Sequence, residues 1–177
     1  SSDVFSSALI AAYRHRAALH PTLAEFNGPV DLYFVRARAS RVQIGPLPAP
    51  WATAPQSALH VVFSEERWPG VDFFEPVPDW TIYRTLVLDL VNPTGVELGL
   101  TLRVHDAHHN NEYADRFNRA FALAPRSRRA IRIPLEEIAS APQGRRMDLK
   151  QVADFHLFRS HDSHAHEMYI VAVTLEL

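Results

Sequence analysis

The feature that most constrains the fold is a succession of short, β-prone runs separated by Pro, Gly, Asn and Asp, which begins after Pro21. Nine of these runs are predicted to form strands: 31–37, 41–44, 58–63, 84–91, 97–105, 116–123, 130–133, 154–158 and 167–175. Many short strands with turn residues between them predict an all-β fold in which two antiparallel sheets pack as a β-sandwich.

Residues alternate within the predicted strands as a half-buried sheet requires. In the strand at 97–105, every even position from 98 to 104 is apolar, whereas Thr101, Arg103 and His105 face the opposite way. One side of this sheet is therefore expected to be core and the other polar. A solvated outer face and a binding face are both consistent with that polar side.

The residues before Pro21 follow a different pattern. Apolar residues from position 4 to 19 recur at helical spacing, with Asp3 available among the capping residues and Pro21 as the stop. This predicts one N-terminal α-helix, which packs either on the sandwich or on an upstream domain of a longer protein. We expect residues 1–20 to form this helix or linker and residues 21–177 to form the sandwich.

Length and composition narrow the class of protein. A chain of 177 residues supports one buried core. Its net charge of −2 gives no reason to expect nucleic acid as a partner. No apolar run in the sequence is long enough to cross a bilayer. The absence of cysteine excludes a disulfide scaffold and thiolate metal sites without identifying the cell compartment.

Three groups of motifs carry a family resemblance. They are DWTIY (79–83) leading into LVLDLVNP (86–93), then YADRFN (113–118), and then IRIPL (131–135) with RMDL (146–149). In this order and spacing, residues 25–177 resemble the galactose-binding-like jelly-roll modules found beside agarases and at the C-terminus of some VanZ-like bacterial membrane proteins. The resemblance implies a carbohydrate-binding module that binds a polysaccharide or oligosaccharide, belongs to a longer protein and is periplasmic or extracellular.

Some residues of these motifs have structural interpretations. Trp80 is expected to fill the end of the sandwich, with its ring N–H bonded to a nearby carbonyl. The segment 134–138 is predicted to form one helical turn, and 92–95 a tight turn between two strands.

The densest polar stretch, residues 103–118, is predicted to run from strand through loop to strand. If Arg103, His105, Arg116 and Asn118 share one face, they form a patch of donors and acceptors suited to sugar hydroxyls. Sugars also present an apolar C–H face, so a carbohydrate site is expected to include exposed aromatic rings.

Trp68 is the leading aromatic candidate because it lies in a loop, at 66–70, with the alternative that it is a lid over the sandwich edge. Tyr113 is a second candidate. His156 and Arg159 are expected to extend the patch if their strand adjoins that of Arg103.

Two histidine clusters, at 105–109 and 161–166, raise a metal hypothesis, but neither matches an established zinc-ligand spacing. The family resemblance implies a structural calcium held by oxygen ligands from the first and last strands. Glu25 and Asp31 are the candidates near the start, and the last strand lacks the Asp common in such sites. No other cofactor is expected.

The sequence contains no nucleophile elbow, phosphate loop or dinucleotide fingerprint. The leading interpretation is a non-catalytic module that targets a linked protein to a glycan. One alternative is a hydrolase or lyase that uses carboxylates among Asp106, Glu112 and Asp115. The other is a structural or protein-interaction ectodomain.

Overall fold

The computed structural model describes residues 2–177. Within them, helix α1 (Ser2–Leu19) precedes eleven β-strands, and a short helix α2 (Leu135–Ala139) follows the ninth strand. The strands are β1 (Thr22–Ala24), β2 (Val35–Arg38), β3 (Ser40–Pro46), β4 (Ser57–Phe63), β5 (Gly70–Phe74), β6 (Thr85–Asn92), β7 (Leu98–Asp106), β8 (Phe117–Leu123), β9 (Ser127–Pro134), β10 (Val152–Arg159) and β11 (Glu167–Glu176).

The strands form two antiparallel sheets. In the six-stranded sheet the order is β3-β4-β11-β6-β9, with β1 paired to β11. In the five-stranded sheet the order is β2-β5-β10-β7-β8. The predicted all-β sandwich with an N-terminal helix is therefore confirmed.

The core lies between the sheets and follows the predicted alternation. Leu98, Leu100 and Leu102 on β7 are fully buried, and the residues between them are half-buried. Burial of each such leucine stabilises the fold by about 1.5–3 kcal/mol. Trp80 is also fully buried, and its Nε1 donates to the carbonyl of Val77 at 2.8 Å, as predicted.

Two strands were missed and one was misplaced. β1 and β5 were not predicted, because Pro21 and Pro69–Gly70 interrupt their patterns. The strand predicted at 31–37 begins only at Val35, because Pro29–Leu32 forms a 3₁₀ turn. The carboxylate of Asp31 holds that turn by accepting the backbone N–H groups of Asn27 (2.8 Å) and Gly28 (3.1 Å).

Helix α1 packs on the sandwich, which was one of the two expected positions. Ala12 is buried, and the ring of Tyr13 meets that of Phe34 edge to face at 5.0 Å. His15 Nε2 lies 2.6 Å from Asp31 Oδ1. None of the helices in residues 2–177 has the length and apolar character of a membrane span.

Candidate binding groove

A groove of about 810 Å³ lies on the outer face of the five-stranded sheet. The strand register puts one groove-facing residue of each strand into a single row: Arg36, Asp72, His156, Arg103 and Asn118. The rest of the lining is Arg38, Arg67, Trp68, Thr101, His105, Tyr113, Arg116, Asp154 and Phe158. We call this surface the polar groove.

Strand alternation positions the floor of the polar groove. Asp154, His156 and Phe158 of β10 face the groove, while Phe155 and Leu157 between them are buried in the core. β10 pairs with β7 so that His156 lies opposite Arg103. The structure thus brings together most of the site residues expected from the sequence: Trp68, Arg103, His105, Tyr113, Arg116, Asn118 and His156. Their binding role stays a prediction.

Arg159 does not line the polar groove but a smaller neighbouring pocket that shares Arg67 and Trp68 with it, so its binding role stays a prediction. It follows the groove residue Phe158, so alternation turns its side chain away from the groove. Its guanidinium donates to the carbonyls of Ala165 (2.8 Å) and Ser64 (3.2 Å) and lies 5.1 Å from the centre of the Phe63 ring. Arg159 therefore ties loops together at the end of the sandwich.

One edge of the groove is organised by contacts around β8. Arg116 Nε donates to Asn118 Oδ1 at 3.0 Å, and Asn118 Nδ2 donates to the carbonyl of Tyr113 at 3.2 Å. The guanidinium of Arg116 also lies 5.0 Å from the centre of the Tyr113 ring. These contacts hold the amide, the guanidinium and the aromatic ring in fixed relative positions.

Two acidic residues of the groove lie on the neighbouring strands β5 and β10. Asp72 is buried and accepts a hydrogen bond from Arg38 at 3.3 Å, with Arg36 at 3.9 Å. Burial, followed by a hydrogen bond and the charge of Asp72, raises the pKa of Asp154 well above its ordinary value. Asp154 therefore tends to keep its proton and to act as a neutral donor.

Two histidines in the floor are held neutral. Burial, helped by the charges of His109 and Arg103, lowers the pKa of His105 to about 4. Burial also lowers the pKa of His156 to about 4, against an opposing effect of Asp72. At neutral pH each ring therefore offers one N–H donor and one nitrogen acceptor.

Three buried nitrogen atoms of the groove floor make no hydrogen bond within residues 2–177. They are Arg103 Nε, His105 Nδ1 and His156 Nε2. Most buried side-chain polar atoms in folded proteins have a hydrogen-bond partner, and leaving one without a partner costs about 1–3 kcal/mol. Two further buried atoms without a partner in the described residues, Arg16 Nε and His20 Nδ1, lie outside the groove, so three of the five belong to it, and this concentration favours a polar ligand there.

Exposed aromatic rings border the groove. Trp68 is 55% exposed and has a φ of 52°, which is uncommon for a residue other than glycine. Tyr113 is 71% exposed. A lid over the sandwich edge requires Trp68 to be covered, so its exposure favours the alternative that it contacts a ligand.

A buried ion network supports the loop that carries Tyr113. Arg145 donates to both oxygens of Asp106 (2.7 and 2.9 Å) and to both oxygens of Asp115 (2.7 and 3.0 Å). The hydrogen bonds from Arg145 hold the pKa of Asp115 well below its usual range. Burial alone raises the pKa of Asp106, but its bonds to Arg145 and to the N–H of Asp148 outweigh this and lower it. Both carboxylates are thus structural.

Several lining residues were missed by the sequence prediction. Arg36, Arg38 and Arg67 come from β2 and the loop before β5, and no local pattern shows that β2 and β5 belong to the same sheet as β10. Asp72 did have a signal, since it is a single acid within the apolar run of β5.

The calcium prediction receives no positive support. Asp31 already bonds to His15 and to two backbone N–H groups. Across residues 2–177, no three His, Cys, Asp or Glu side chains gather as a metal-binding group. Glu25 and Asp31 therefore do not fit an ion that takes six to eight oxygen ligands, and calcium there stays an untested prediction.

Solved structures share this architecture at low sequence identity. The chain matches an exo-β-agarase structure at a TM-score of 0.69 and 15% identity, over 88% of this chain and 24% of that one. It also matches the family 11 carbohydrate-binding module of Clostridium thermocellum, in complex with a β-1,3-1,4-mixed-linked tetrasaccharide. That match has a TM-score of 0.60 and 12% identity and covers 88% of this chain and 94% of the module. A third match is a xylan-binding domain of family 22, with a TM-score of 0.55 and 11% identity, over 87% of this chain and 92% of that domain.

These matches define the class of fold: a sandwich like those of carbohydrate-binding modules. The chain spans about a quarter of the agarase chain and nearly the whole of each isolated module. None of the known protein-family models matches the chain, and no curated protein does either. The likeness therefore establishes the fold, and the expected relation to VanZ-like proteins stays a prediction.

Proposed function

We propose that the polar groove binds a polysaccharide or oligosaccharide, and that the chain is a non-catalytic carbohydrate-binding module that brings a linked protein to a glycan. The observation that carries this proposal is the set of buried nitrogens without partners, on Arg103, His105 and His156, in a groove bordered by exposed aromatic rings.

The groove chemistry suits sugar hydroxyls, which both donate and accept hydrogen bonds. The neutral rings of His105 and His156 offer donors and acceptors without the cost of burying a full charge. Trp68 and Tyr113 offer flat apolar surfaces for the C–H face of a sugar ring. A few placed polar groups with aromatic surface are typical of ligand sites.

The carboxylates disfavour glycoside hydrolysis. Asp106 and Asp115 are both held by Arg145. Burial and the neighbouring Asp72 raise the pKa of Asp154, and the carboxylate of Asp72 is itself held by a hydrogen bond from Arg38. A binding role therefore fits the groove better than hydrolysis.

The structural neighbours support a glycan ligand by analogy. One of them holds a mixed-linked tetrasaccharide and another is a xylan-binding domain. A purely structural ectodomain does not account for the unpaired nitrogens of the groove, because buried polar groups are ordinarily satisfied.

Affinity electrophoresis and calorimetry on agarose, mixed-linked β-glucan, xylan and alginate test this function. The wild type is expected to bind at least one of them. Trp68→Ala and His105→Ala are each expected to weaken binding about tenfold, or about 1.4 kcal/mol. Phe5→Ala, which removes an exposed aromatic ring on α1 outside the groove, is the matched control and is expected to bind as the wild type does.

Two results overturn the proposal. One is no retention on any of these glycans. The other is release of reducing ends or unsaturated sugars by the wild type, because either product shows that the groove is catalytic.

A further inference from the structure

The charge of the polar groove differs from that of the whole chain. The chain has 18 Lys and Arg against 20 Asp and Glu. The groove lining, in contrast, contains five arginines and two acids: Arg36, Arg38, Arg67, Arg103, Arg116, Asp72 and Asp154. Five positive charges against at most two negative ones leave an excess of at least three. The net charge of the chain gave no reason to expect an anionic ligand. The fold supplies such a reason, because it gathers these arginines in one groove.

Four of the five arginines fall into two groups. Arg36 and Arg38 flank the carboxylate of Asp72. Arg103 and Arg116 form no ion pair with any carboxylate of residues 2–177, and the hydrogen bond of Arg116 is to the amide oxygen of Asn118. Asp154, the other acid of the groove, is not a counter-charge for Arg103 either, because burial and Asp72 raise its pKa and hold it toward its neutral form.

Arg103 and Arg116 are close to each other. Arg103 lies opposite Asn118 across the β7–β8 ladder, and Arg116 is two residues before Asn118. Diagonal neighbours of this kind are about 7–8 Å apart. Burial and the nearby charge of Arg103 both lower the pKa of Arg116, which shows that the two cations disfavour each other. Two neighbouring, partly buried cations without a counter-charge are stabilised by an anion placed between them.

Resting on the sugar-binding function proposed above, we infer that the ligand is an acidic polysaccharide and that Arg103 and Arg116 bind its carboxylate or sulfate group. Guanidinium groups bind both anions in bidentate fashion. The row of groove residues continues from this pair to His156 and the carboxylate of Asp72. That carboxylate accepts hydrogen bonds, which the hydroxyl groups of a glycan donate and the oxygens of a phosphate backbone do not, so an acidic glycan fits better than a nucleic acid.

Calorimetry on matched glycans tests the inference with the wild type alone. The probes are hexagalacturonate and its carboxyl-reduced form, a sulfated galactan and the same galactan after desulfation, and a single-stranded oligonucleotide. We expect at least tenfold tighter binding of one acidic glycan than of its neutral counterpart, and a loss of this preference as salt rises, because ions screen exposed charges. The pair that shows the preference distinguishes carboxylate from sulfate.

Variants locate the effect. Arg103→Gln and Arg116→Gln are expected to abolish the preference, so that the ratio of the affinities for the acidic and the neutral glycan falls to about one. Arg132→Gln makes the same charge change on the outer face of the six-stranded sheet and is expected to keep the preference. Arg116→Lys keeps the positive charge but not the bidentate geometry, and this variant is expected to retain part of the preference for the acidic glycan.

The outcomes separate the two proposals. Equal affinity for acidic and neutral glycans overturns the acidic ligand and leaves sugar binding intact. No binding to any glycan overturns both. Tighter binding of the oligonucleotide than of every glycan overturns the glycan assignment in favour of a nucleic acid.

Discussion

The outer faces of the two sheets are both polar, yet their polar groups are used differently. On the six-stranded sheet, charged groups are paired across strands: Arg128 with Asp89 (3.0 and 2.8 Å), His60 with Glu167 (3.2 Å) and Arg132 with Glu176. On the five-stranded sheet, Arg103 and Arg116 have no carboxylate partner within residues 2–177, and buried nitrogens have no partner at all.

The chain also covers one of these faces itself. Val91 and Val171 of the six-stranded sheet point outward but are buried beneath a loop that carries Leu47 and Trp51. Arg128 donates to the carbonyl of Trp51 at 2.7 Å and so fastens this loop. The comparison teaches that Arg and His on a sheet do not by themselves mark a site, whereas several buried polar atoms without partners on one face favour one.

Gly70→Ala is expected to have the largest effect because it disrupts the groove-bearing sheet. A Cβ at Gly70 overlaps the carbonyl oxygen of Leu157 and the Cα of Phe158, so β5 and β10 have to separate. We expect a loss on the order of 4 kcal/mol in the free energy of unfolding, measured by urea denaturation.

Gly45→Ala, on β3 of the other sheet, is the matched control. A Cβ there meets no atom within 4 Å, so the free energy of unfolding is expected to stay within about 0.5 kcal/mol of that of the wild type. Equal losses in the two variants contradict the close approach of β5 and β10.

Arg145→Met is expected to have the next largest effect. It leaves the fully buried side chain of Asp106 without its guanidinium, which costs about 3 kcal/mol. Arg128→Met removes a similar bidentate pair from the half-exposed outer face of the six-stranded sheet and is expected to cost at most about 1 kcal/mol. Thermal unfolding measures both, and a smaller loss for Arg145→Met than for Arg128→Met refutes the structural role of the network.

Asp154→Asn is expected to have the smallest effect, and its sign depends on pH. The pKa of Asp154 is higher in the folded protein than in the unfolded protein. The stability that Asp154 contributes is therefore fully present at a pH below its unfolded-state pKa and is lost as the pH rises through its folded-state pKa. Relative to the wild type, the variant should therefore gain stability as the pH increases from about 4 to 9. Urea midpoints across this range measure the difference, and parallel curves for the two proteins count against the raised pKa.

Much of the fold was predictable because alternation is a local property. β7 shows it plainly, since the leucines from Leu98 onward alternate with polar residues, and the sandwich follows from such strands. β5 was not predictable in the same way. Val71, Phe73 and Phe74 follow a Pro-Gly break and form a run too short to distinguish from a loop.

The site was predictable only along single strands. Arg103 and His105 share a face by alternation, and Arg116 and Asn118 do so as well. Their neighbours Arg36 and Asp72 depend on strand order, which no local pattern encodes. The position of Arg159 outside the groove was predictable, because Arg159 is three positions after His156 and residues an odd number of positions apart face opposite sides of a regular strand.

The alternation within β7 and β10 separates what keeps the domain folded from what it contacts. Leu102 and Leu157 fill the core, while Arg103 and His156, adjacent to them in the chain, face the groove. Groove positions can therefore change in evolution or in the laboratory with little change to the packing between the sheets. The same independence allows structures with 11–15% identity to this chain to share its architecture.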